Sequence, residues 1–394
     1  MNPSLELLHP YPFQRLTELY AGITPRKGYT PINLSIGEPR HSTPEFIKEA
    51  LCSQLQGLAR YPTTQGSLQL RMAIHNWIVQ RYPGVTLSAA SQILPINGSR
   101  EALFAIAQTV VADANAVVIM PNPFYQIYEG AALLAKAKPY FMNTVASKNF
   151  NMEFNSIPAE IFHRTQLLYV CTPGNPTGKL MQLTDWAELF ELADEYDFVM
   201  ASDECYSEIY FNESSPPLGG LQAAMQLGRP DFRRLIVFSS LSKRSNVPGL
   251  RSGFVAGDEA IISKFLLYRT YHGSAMSPPV QAASIAAWED EAHVVENRRR
   301  YRQKFSDVIA ILKDALSVDM PEGAFYLWLN TGTSDLEFAK ALYHDYNVQV
   351  LPGQFLARDA HGVNPGVGYV RIALVAEEAE CIAAATRIKS LILS

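Results

Sequence analysis

Lys243 is the residue of this chain whose surroundings most favour covalent chemistry. It follows the apolar run at residues 235–238, with Ser240 three residues before it and Arg251 eight residues after it. A lysine that lies near a second cation and is partly removed from water has a lowered pKa, and its amine can attack a carbonyl carbon to form a Schiff base. Because most lysines are solvated surface groups, this pattern needs support from the rest of the chain.

Polar residues also stand at the ends of other apolar runs. Asp203 comes directly after the run at residues 198–201, and Tyr206 lies three residues further on. A carboxylate and a phenol in these places suit a protonated ring nitrogen and a ring oxygen, although a helix cap followed by a core aromatic gives the same pattern. Asn175 lies in the rigid turn at residues 171–178, where its amide would face a ligand unless the turn is purely structural.

Two further segments fit the same kind of ligand. Residues 97–100, Asn-Gly-Ser-Arg, form a small-residue turn that opens a helix, and such a helix start binds phosphate well, though many helices begin this way. Tyr125 follows another apolar run and offers a ring for stacking, unless it is a core aromatic. A lysine, an acid, ring-oxygen donors, a stacking ring and an anion site are together what pyridoxal phosphate requires.

The elements that carry these residues predict an α/β fold. Apolar runs at residues 116–120, 167–171, 198–201, 235–238 and 253–256 alternate, in their first four members, with helical segments at residues 101–111, 125–136 and 185–196. Continuous apolar strands separated by helices are typical of a mostly parallel sheet, here of the seven-stranded type, that helices cover on both faces. Binding sites in such sheets form at the carboxyl ends of the strands.

The length of 394 residues predicts two domains. Beyond residues 278–279 the pattern changes to strands at residues 321–328, 348–351 and 369–373 and helices at residues 336–345 and 377–392. We therefore expect a large cofactor-binding domain at residues 45–285 and a smaller α+β domain formed by residues 286–394 and 1–44. Residues 1–44 are rich in proline and predict an extended arm that packs on something else, such as a second subunit.

Composition excludes several other classes of protein. The net charge of −5, with Arg298–Arg300 in a helical stretch among acidic neighbours, does not indicate nucleic-acid binding. The four cysteines are widely spaced, so neither a metal site nor a disulfide framework is expected, and a reducing compartment fits. The N-terminus does not resemble a signal peptide, and no apolar run approaches the ~20 residues that span a membrane. A cytoplasmic protein is expected.

In their order and spacing the motifs resemble the fold-type I pyridoxal-phosphate aminotransferases of classes I and II. The resemblance runs from about Ile32 to the C-terminus, and its most specific parts are Asn175-Pro-Thr-Gly178, Asp203-x-x-Tyr206 and Ser240-x-x-Lys243 with Arg251. It implies pyridoxal 5'-phosphate as cofactor, amino acids and oxo acids as substrates, and a homodimer.

The resemblance also implies a role for each matching residue. Lys243 would hold the cofactor aldehyde and move the substrate proton, and Asp203 would pair with the ring nitrogen. The residues that would bind the rest of the cofactor are Asn175 and Tyr206 at the ring oxygen, Tyr125 on the ring face, Ser99, Arg100, Ser240 and Arg251 at the phosphate beside Gly98, and Tyr61 at the phosphate of the neighbouring subunit. Arg371, with Gly37 and Asn175, would bind the substrate α-carboxylate, whereas an exposed edge-strand arginine is the alternative explanation.

A narrower resemblance concerns the substrate. Leu8-His-Pro-Tyr-Pro-Phe13, residues 34–40 and residues 241–249 are similar to the succinyldiaminopimelate aminotransferases of bacterial lysine biosynthesis. This resemblance implies exchange of an amino group between glutamate and N-succinyl-2-amino-6-oxoheptanedioate. Arg40 and Arg244 are additional cations that we expect to meet the distal carboxylates of such a substrate.

Other functions share this scaffold. An aminotransferase of aspartate, alanine or aromatic specificity and a C–S β-lyase would use the same cofactor residues. A ligand-sensing transcription regulator would need an added DNA-binding module, and no basic helix or spare segment of ~70 residues is available for one. A purely structural protein would not need a lysine, an aspartate, an asparagine and an arginine at successive strand ends.

Overall fold

The computed structural model describes residues 1–394 and contains fourteen α-helices and twelve strands. The helices are α1 Pro12–Tyr20, α2 Glu45–Ser53, α3 Leu68–Arg81, α4 Ser99–Val110, α5 Ile127–Leu134, α6 Ala159–Phe162, α7 Leu183–Tyr196, α8 Gly220–Gln226, α9 Leu241–Arg244, α10 Glu259–His272, α11 Pro278–Glu289, α12 Ala292–Leu312, α13 Asp335–Tyr346 and α14 Glu378–Leu393. The strands are β1 Ile32–Asn33, β2 Ile93–Ile96, β3 Val117–Asn122, β4 Lys138–Asn143, β5 Thr165–Cys171, β6 Val199–Asp203, β7 Leu235–Ser240, β8 Gly253–Gly257, β9 Tyr326–Asn330, β10 Val348–Gln349, β11 Leu351–Pro352 and β12 Tyr369–Ala373.

Seven strands form the central sheet in the order β2-β8-β7-β6-β5-β3-β4. Strands β3 to β7 are parallel to their neighbours in this group, whereas β8 is antiparallel to both β7 and β2. The prediction of a mostly parallel seven-stranded α/β sheet is therefore confirmed. The sequence did not reveal the two edge strands, because β2 has only four residues and contains Pro95, and β4 is partly exposed.

Each face of the sheet has its own apolar core. Along β5, Leu168 and Val170 pack in one core, while Leu167 and Tyr169 pack in the other. Successive side chains of a strand point to opposite faces, so a strand that is buried on both faces must be apolar throughout. This requirement explains why the central strands appear in the sequence as continuous apolar runs.

A third core belongs to the C-terminal part of the chain and to part of its N-terminal part. It surrounds the antiparallel sheet β11-β12-β9 and includes residues of α12, α13 and α14. Leu16 and Tyr20 of α1 are buried in it, and the hydroxyl of Tyr20 donates to the carbonyl of Val350 at 3.2 Å. The grouping of the cores is compatible with the predicted domain boundaries, which remain a prediction.

The N-terminal arm corrects one expectation from the sequence. Residues 12–20 form a helix rather than an extended segment, and Ile32 pairs with Val348 in the parallel ladder of β1 and β10. The arm thus packs on its own chain, because Leu16, Tyr20 and Ile32 find apolar partners there. None of the helices combines the length and the apolar character that crossing a bilayer requires.

Candidate active site

A cavity of about 700 Å³ lies between the central sheet and the C-terminal part of the chain. The carboxyl ends of β5, β6 and β7 face it, because neighbouring parallel strands end at the same edge of a sheet. Most of the residues singled out in the sequence line this cavity: Gly37, Ser99, Arg100, Tyr125, Asn175, Asp203, Tyr206, Ser240, Lys243, Arg251 and Arg371.

Lys243 lies on the one-turn helix α9, directly after β7. Its Nζ donates to the carbonyl oxygen of Gly37 at 2.6 Å and stands 5.4 Å from the centre of the Phe325 ring. Burial lowers the pKa of this amine from 10.5 to about 8, and the nearby guanidinium groups of Arg371 and Arg251 act in the same direction. About a tenth of the amine is therefore neutral, and hence nucleophilic, at pH 7.

Asp203 ends β6 and is only 3% exposed. Its carboxylate accepts a hydrogen bond from the hydroxyl of Tyr128 at 2.6 Å and one from the backbone N–H of Cys205 at 3.2 Å. Burial raises the pKa of Asp203, while the hydrogen bonds from Cys205 and Tyr128 oppose that shift. Two hydrogen bonds thus fix the carboxylate in the wall of the cavity. A positively charged group of a bound ligand would stabilise its negative charge there.

Arg371 lies on β12, the middle strand of the small sheet, and is 4% exposed. Its two terminal nitrogens donate to Asn175 Oδ1 and to the carbonyl oxygen of Ser35, both at 2.9 Å. Its Nε is buried and has no hydrogen-bond partner, and no carboxylate forms an ion pair with the side chain. A buried guanidinium with an unpaired N–H is a suitable receptor for an anion that enters the cavity.

Two tyrosines complete the wall beside Arg371. The hydroxyls of Tyr206 and Tyr326 are 2.9 Å apart, and the Arg371 guanidinium lies 4.4 Å from the centre of the Tyr326 ring. A Cβ atom on Gly37 would lie only 2.0 Å from the Tyr326 hydroxyl oxygen. Glycine at position 37 therefore lets the N-terminal segment approach this wall closely.

A second cluster of donors lies at the start of α4. Gly98 precedes this helix with a φ of 83°, and a Cβ atom there would lie 2.3 Å from a terminal nitrogen of Arg251. The hydroxyl of Ser240 donates to Ser242 Oγ at 2.9 Å, and Ser99 and Arg100 line the cavity beside it. Free N–H groups of a helix start, two serine hydroxyls and two guanidinium groups form a suitable phosphate site.

Besides Gly98, which lies directly before the lining residue Ser99, three residues expected at the site do not line the cavity. Arg244 is 2% exposed, forms an ion pair with Glu291, donates to the carbonyl of Ala287 and lies over the ring of Trp288. Contrary to the expectation, its guanidinium is therefore unavailable to a substrate, because the side chain follows α9 away from the cavity into the packing against α11. Arg40 lies 3.9 Å from Glu380 near the surface. Tyr61 is fully exposed and is not among the residues that line the cavity of its own chain.

Sequence reasoning missed several residues of the site. Tyr128 holds Asp203, yet in the sequence it looks like any buried aromatic of α5. Tyr326 lies in the predicted strand at residues 321–328, but only the structure shows that this strand pairs with the strand of Arg371. Cys205 and Glu38 also line the cavity, as do Tyr11 and Phe13 from the N-terminal segment. These two aromatics belong to the Leu8–Phe13 motif, which was the available signal.

Comparisons with known proteins agree with this geometry. The family described as "Aminotransferase class I and II" matches residues 29–388. An aminotransferase of Neisseria meningitidis Z2491 of known crystal structure is 54% identical, covers 99% of this chain and 100% of its own, and superposes with a TM-score of 0.96. The aminotransferase AspB of Helicobacter pylori 26695 is 34% identical, with coverage of 98% and 99% and a TM-score of 0.91. The LL-diaminopimelate aminotransferase of Syntrophobacter fumaroxidans is 30% identical over 98% of this chain and 97% of that protein.

Proposed function

This chain belongs to the class I and II aminotransferases, and from that premise we propose that it exchanges an amino group between glutamate and N-succinyl-2-amino-6-oxoheptanedioate. Enzymes of this family and fold use pyridoxal 5'-phosphate, which supplies an aldehyde that condenses with amines and a pyridine ring that accepts electrons. Membership establishes the reaction type and the cofactor. The residue roles and the succinylated substrate are our proposal.

The residues that line the cavity fit this cofactor. A reactive amine at Lys243 and a buried carboxylate at Asp203 suit the aldehyde and the ring nitrogen, and the donors around Gly98 suit the phosphate. The orphaned Nε of Arg371 remains for a substrate carboxylate. We assign Asn175 and Tyr206 to the ring oxygen and Tyr125 to the ring face.

Within this arrangement each side chain has a defined task. Arg371 binds the α-carboxylate and so fixes the direction in which the α-hydrogen of the substrate points. The Lys243 amine, neutral in part because its pKa is about 8, removes that proton and later returns it. Asp203 would hold a proton on the ring nitrogen of the bound cofactor, whose ring would then supply the electron-accepting chemistry. Tyr206 and Tyr326 hold each other at 2.9 Å and keep this wall of the cavity in place.

The observation that carries the proposed substrate class is the charge of the cavity. Four cationic side chains line it, Arg100, Lys243, Arg251 and Arg371, against two carboxylates, Glu38 and Asp203. None of the four cations forms an ion pair with a carboxylate of the protein. An excess of unpaired cations favours ligands with several negative charges, which suits a cofactor phosphate together with a polycarboxylic substrate.

The relatives support a diaminopimelate-type substrate without deciding whether it is succinylated. The Syntrophobacter protein is named for LL-diaminopimelate. The Leu8–Phe13 motif, of which Tyr11 and Phe13 line the cavity, is the feature that favours the succinylated form. The apolar wall that these two rings share with Leu351 and Leu356 suits the methylene chain of such a substrate.

Half-reactions measured on the purified holoenzyme test this proposal. The change in the visible spectrum of the cofactor should be fast with glutamate and with N-succinyl-LL-2,6-diaminopimelate, and at least about tenfold slower in kcat/KM with unsuccinylated LL-diaminopimelate. Lys243→Ala is the control, and it should abolish conversion of the cofactor to its amine form with every donor, because the group that moves the α-proton is gone. Equal or faster reaction of the unsuccinylated compound would overturn the proposed substrate, and release of pyruvate and ammonia from cystathionine would indicate a C–S β-lyase instead.

A further inference from the structure

A buried lysine without an acidic partner lies behind the active site. Lys304 of α12 is 2% exposed, and its Nζ contacts His41 Nε2 at 2.7 Å and the carbonyl oxygen of Ala376. No carboxylate lies within ion-pair distance of it. A buried ammonium group is costly unless fixed acceptors surround it, so the position of this lysine needs an explanation.

The hydrogen bonds of His41 fix the direction of a chain of donors. An ammonium group can only donate, so His41 Nε2 accepts from Lys304 and the ring proton resides on Nδ1. Nδ1 lies 2.7 Å from Asn297 Oδ1, so it donates to that oxygen. The amide nitrogen of Asn297 in turn donates to the main-chain carbonyl of Lys243 at 3.4 Å. The chain runs from Lys304 through His41 and Asn297 to the backbone of the reactive lysine.

The same N-terminal segment contacts Lys243 and its loop at two further points. The carbonyl oxygen of Gly37 accepts from the Lys243 amine at 2.6 Å. The hydroxyl of Thr43 donates to the carbonyl oxygen of Asn246 at 2.8 Å, and the Asn246 side chain donates to Asn297 Oδ1 at 3.0 Å. Residues 37–43 therefore contact the reactive lysine at three places: its amine, its main-chain carbonyl through Asn297, and the following loop at Asn246.

We propose that His41 is a positioning residue for the reactive lysine, acting through the hydrogen bond from its Nδ1 to Asn297. The bond to Lys304 serves mainly to fix the histidine ring and to stabilise the buried ammonium group. The inference rests on the transamination proposed above, but not on the choice of amino acceptor. Loss of the Nδ1 donor lets the α9 loop shift and displaces the Lys243 amine. Such a displacement of a catalytic group lowers kcat but changes KM little.

Two substitutions of His41 separate its hydrogen bond to Asn297 from its hydrogen bond to Lys304. In His41→Asn the amide nitrogen takes the place of Nδ1 and still reaches Asn297, while the acceptor for Lys304 is lost. In His41→Gln the longer side chain offers an oxygen to Lys304 near the place of Nε2, but no donor at the place of Nδ1. We expect His41→Asn to retain kcat within about twofold with a lowered Tm, and His41→Gln to retain Tm better but lose about tenfold in kcat with KM for glutamate little changed.

The measurements are kcat and KM for the glutamate half-reaction, Tm of the holoenzyme, and the pH midpoint of its visible absorbance band. A shifted midpoint in His41→Gln but not in His41→Asn would report a displaced lysine independently of turnover. Wild-type kcat in His41→Gln, or a kcat that falls in proportion to Tm in both variants, would overturn the inference. Failure of the wild-type protein to react with glutamate would instead refute the proposed function.

Discussion

At the scale of single residues, Lys243 illustrates how a common side chain becomes a reactive one. Its amine is enclosed by protein on the side of Phe325 and Gly37, and two guanidinium groups lie near it. Both effects disfavour the ammonium form, the first by removing water and the second by charge repulsion. Cys205 and Glu38 oppose this lowering of the pKa, but neither cancels it, and no carboxylate forms an ion pair with the amine. The reactivity thus comes from the surroundings rather than from the lysine itself.

The amine of Lys243 in the cofactor-free protein is expected to titrate at about pH 8. Because its pKa is lowered, the neutral form should accumulate above pH 8 rather than only near the ordinary value of 10.5, and labelling by acetic anhydride should rise through that range. Mass spectrometry of the peptide that contains Lys243 gives the midpoint of labelling. Labelling of the exposed Lys264 serves as the internal reference for the amount of active reagent. Arg371→Met, which removes a repelling cation, should move the midpoint upward. A wild-type midpoint near the ordinary value would contradict this prediction.

At the scale of elements, the ends of parallel strands bring distant residues together. Cys171 of β5, Asp203 of β6 and Phe238 of β7 lie side by side in the ladder, so the segments that follow them enter one cavity. The residue after Asp203, Glu204, turns away from this cavity. Its carboxylate accepts from Ser202, from the backbone N–H of Gly220 and from Tyr82, and burial raises its pKa to about 7.

Glu204→Gln should stabilise the protein at alkaline pH relative to wild type. The folded state holds the proton of Glu204 up to about pH 7, whereas the unfolded state releases it near 4.5, so wild-type stability falls as pH rises between these values. Gln mimics the protonated carboxyl and removes this loss, which is worth up to about 3 kcal/mol. Tm measured from pH 4.5 to 8 should show a difference that grows in favour of the variant. A constant difference across that range would show that Glu204 does not titrate there.

At the scale of the whole molecule, Tyr61 points to a second subunit. It is fully exposed, and the nearby Leu55 and Leu58 are more than half exposed. A cluster of exposed apolar side chains is typical of a protein interface. Because Tyr61 touches nothing in its own cavity, the phosphate contact that the family resemblance implies requires another protomer. We therefore propose a homodimer in which each subunit supplies Tyr61 to the site of its partner.

Mixing two defective variants tests this arrangement. Lys243→Ala removes the reactive amine, and Tyr61→Ala removes the group that we expect to act in the partner's site. In a mixed dimer one site carries both defects, and the other carries neither, so activity with glutamate should exceed the mean of the two parent proteins. The matched control mixes Lys243→Ala with the double variant that carries both Lys243→Ala and Tyr61→Ala, and this mixture should show no activity. An absence of recovery after verified subunit exchange would place the action of Tyr61 within its own chain.

The sequence alone determined the inner strands of the central sheet, the family and eleven of the residues that line the cavity. This was possible because a strand buried on both faces must be continuously apolar, and because chemistry needs particular side chains directly after such strands, as at Asp203 and Lys243. Only the tertiary structure decided that Arg244 turns into the packing against α11, that α1 folds onto its own chain, that Tyr128 and Tyr326 support the site, and that His41 contacts Asn297. A buried aromatic or histidine has the same local pattern whether it fills a core or holds a catalytic group, and its role depends on contacts with residues far away in the chain.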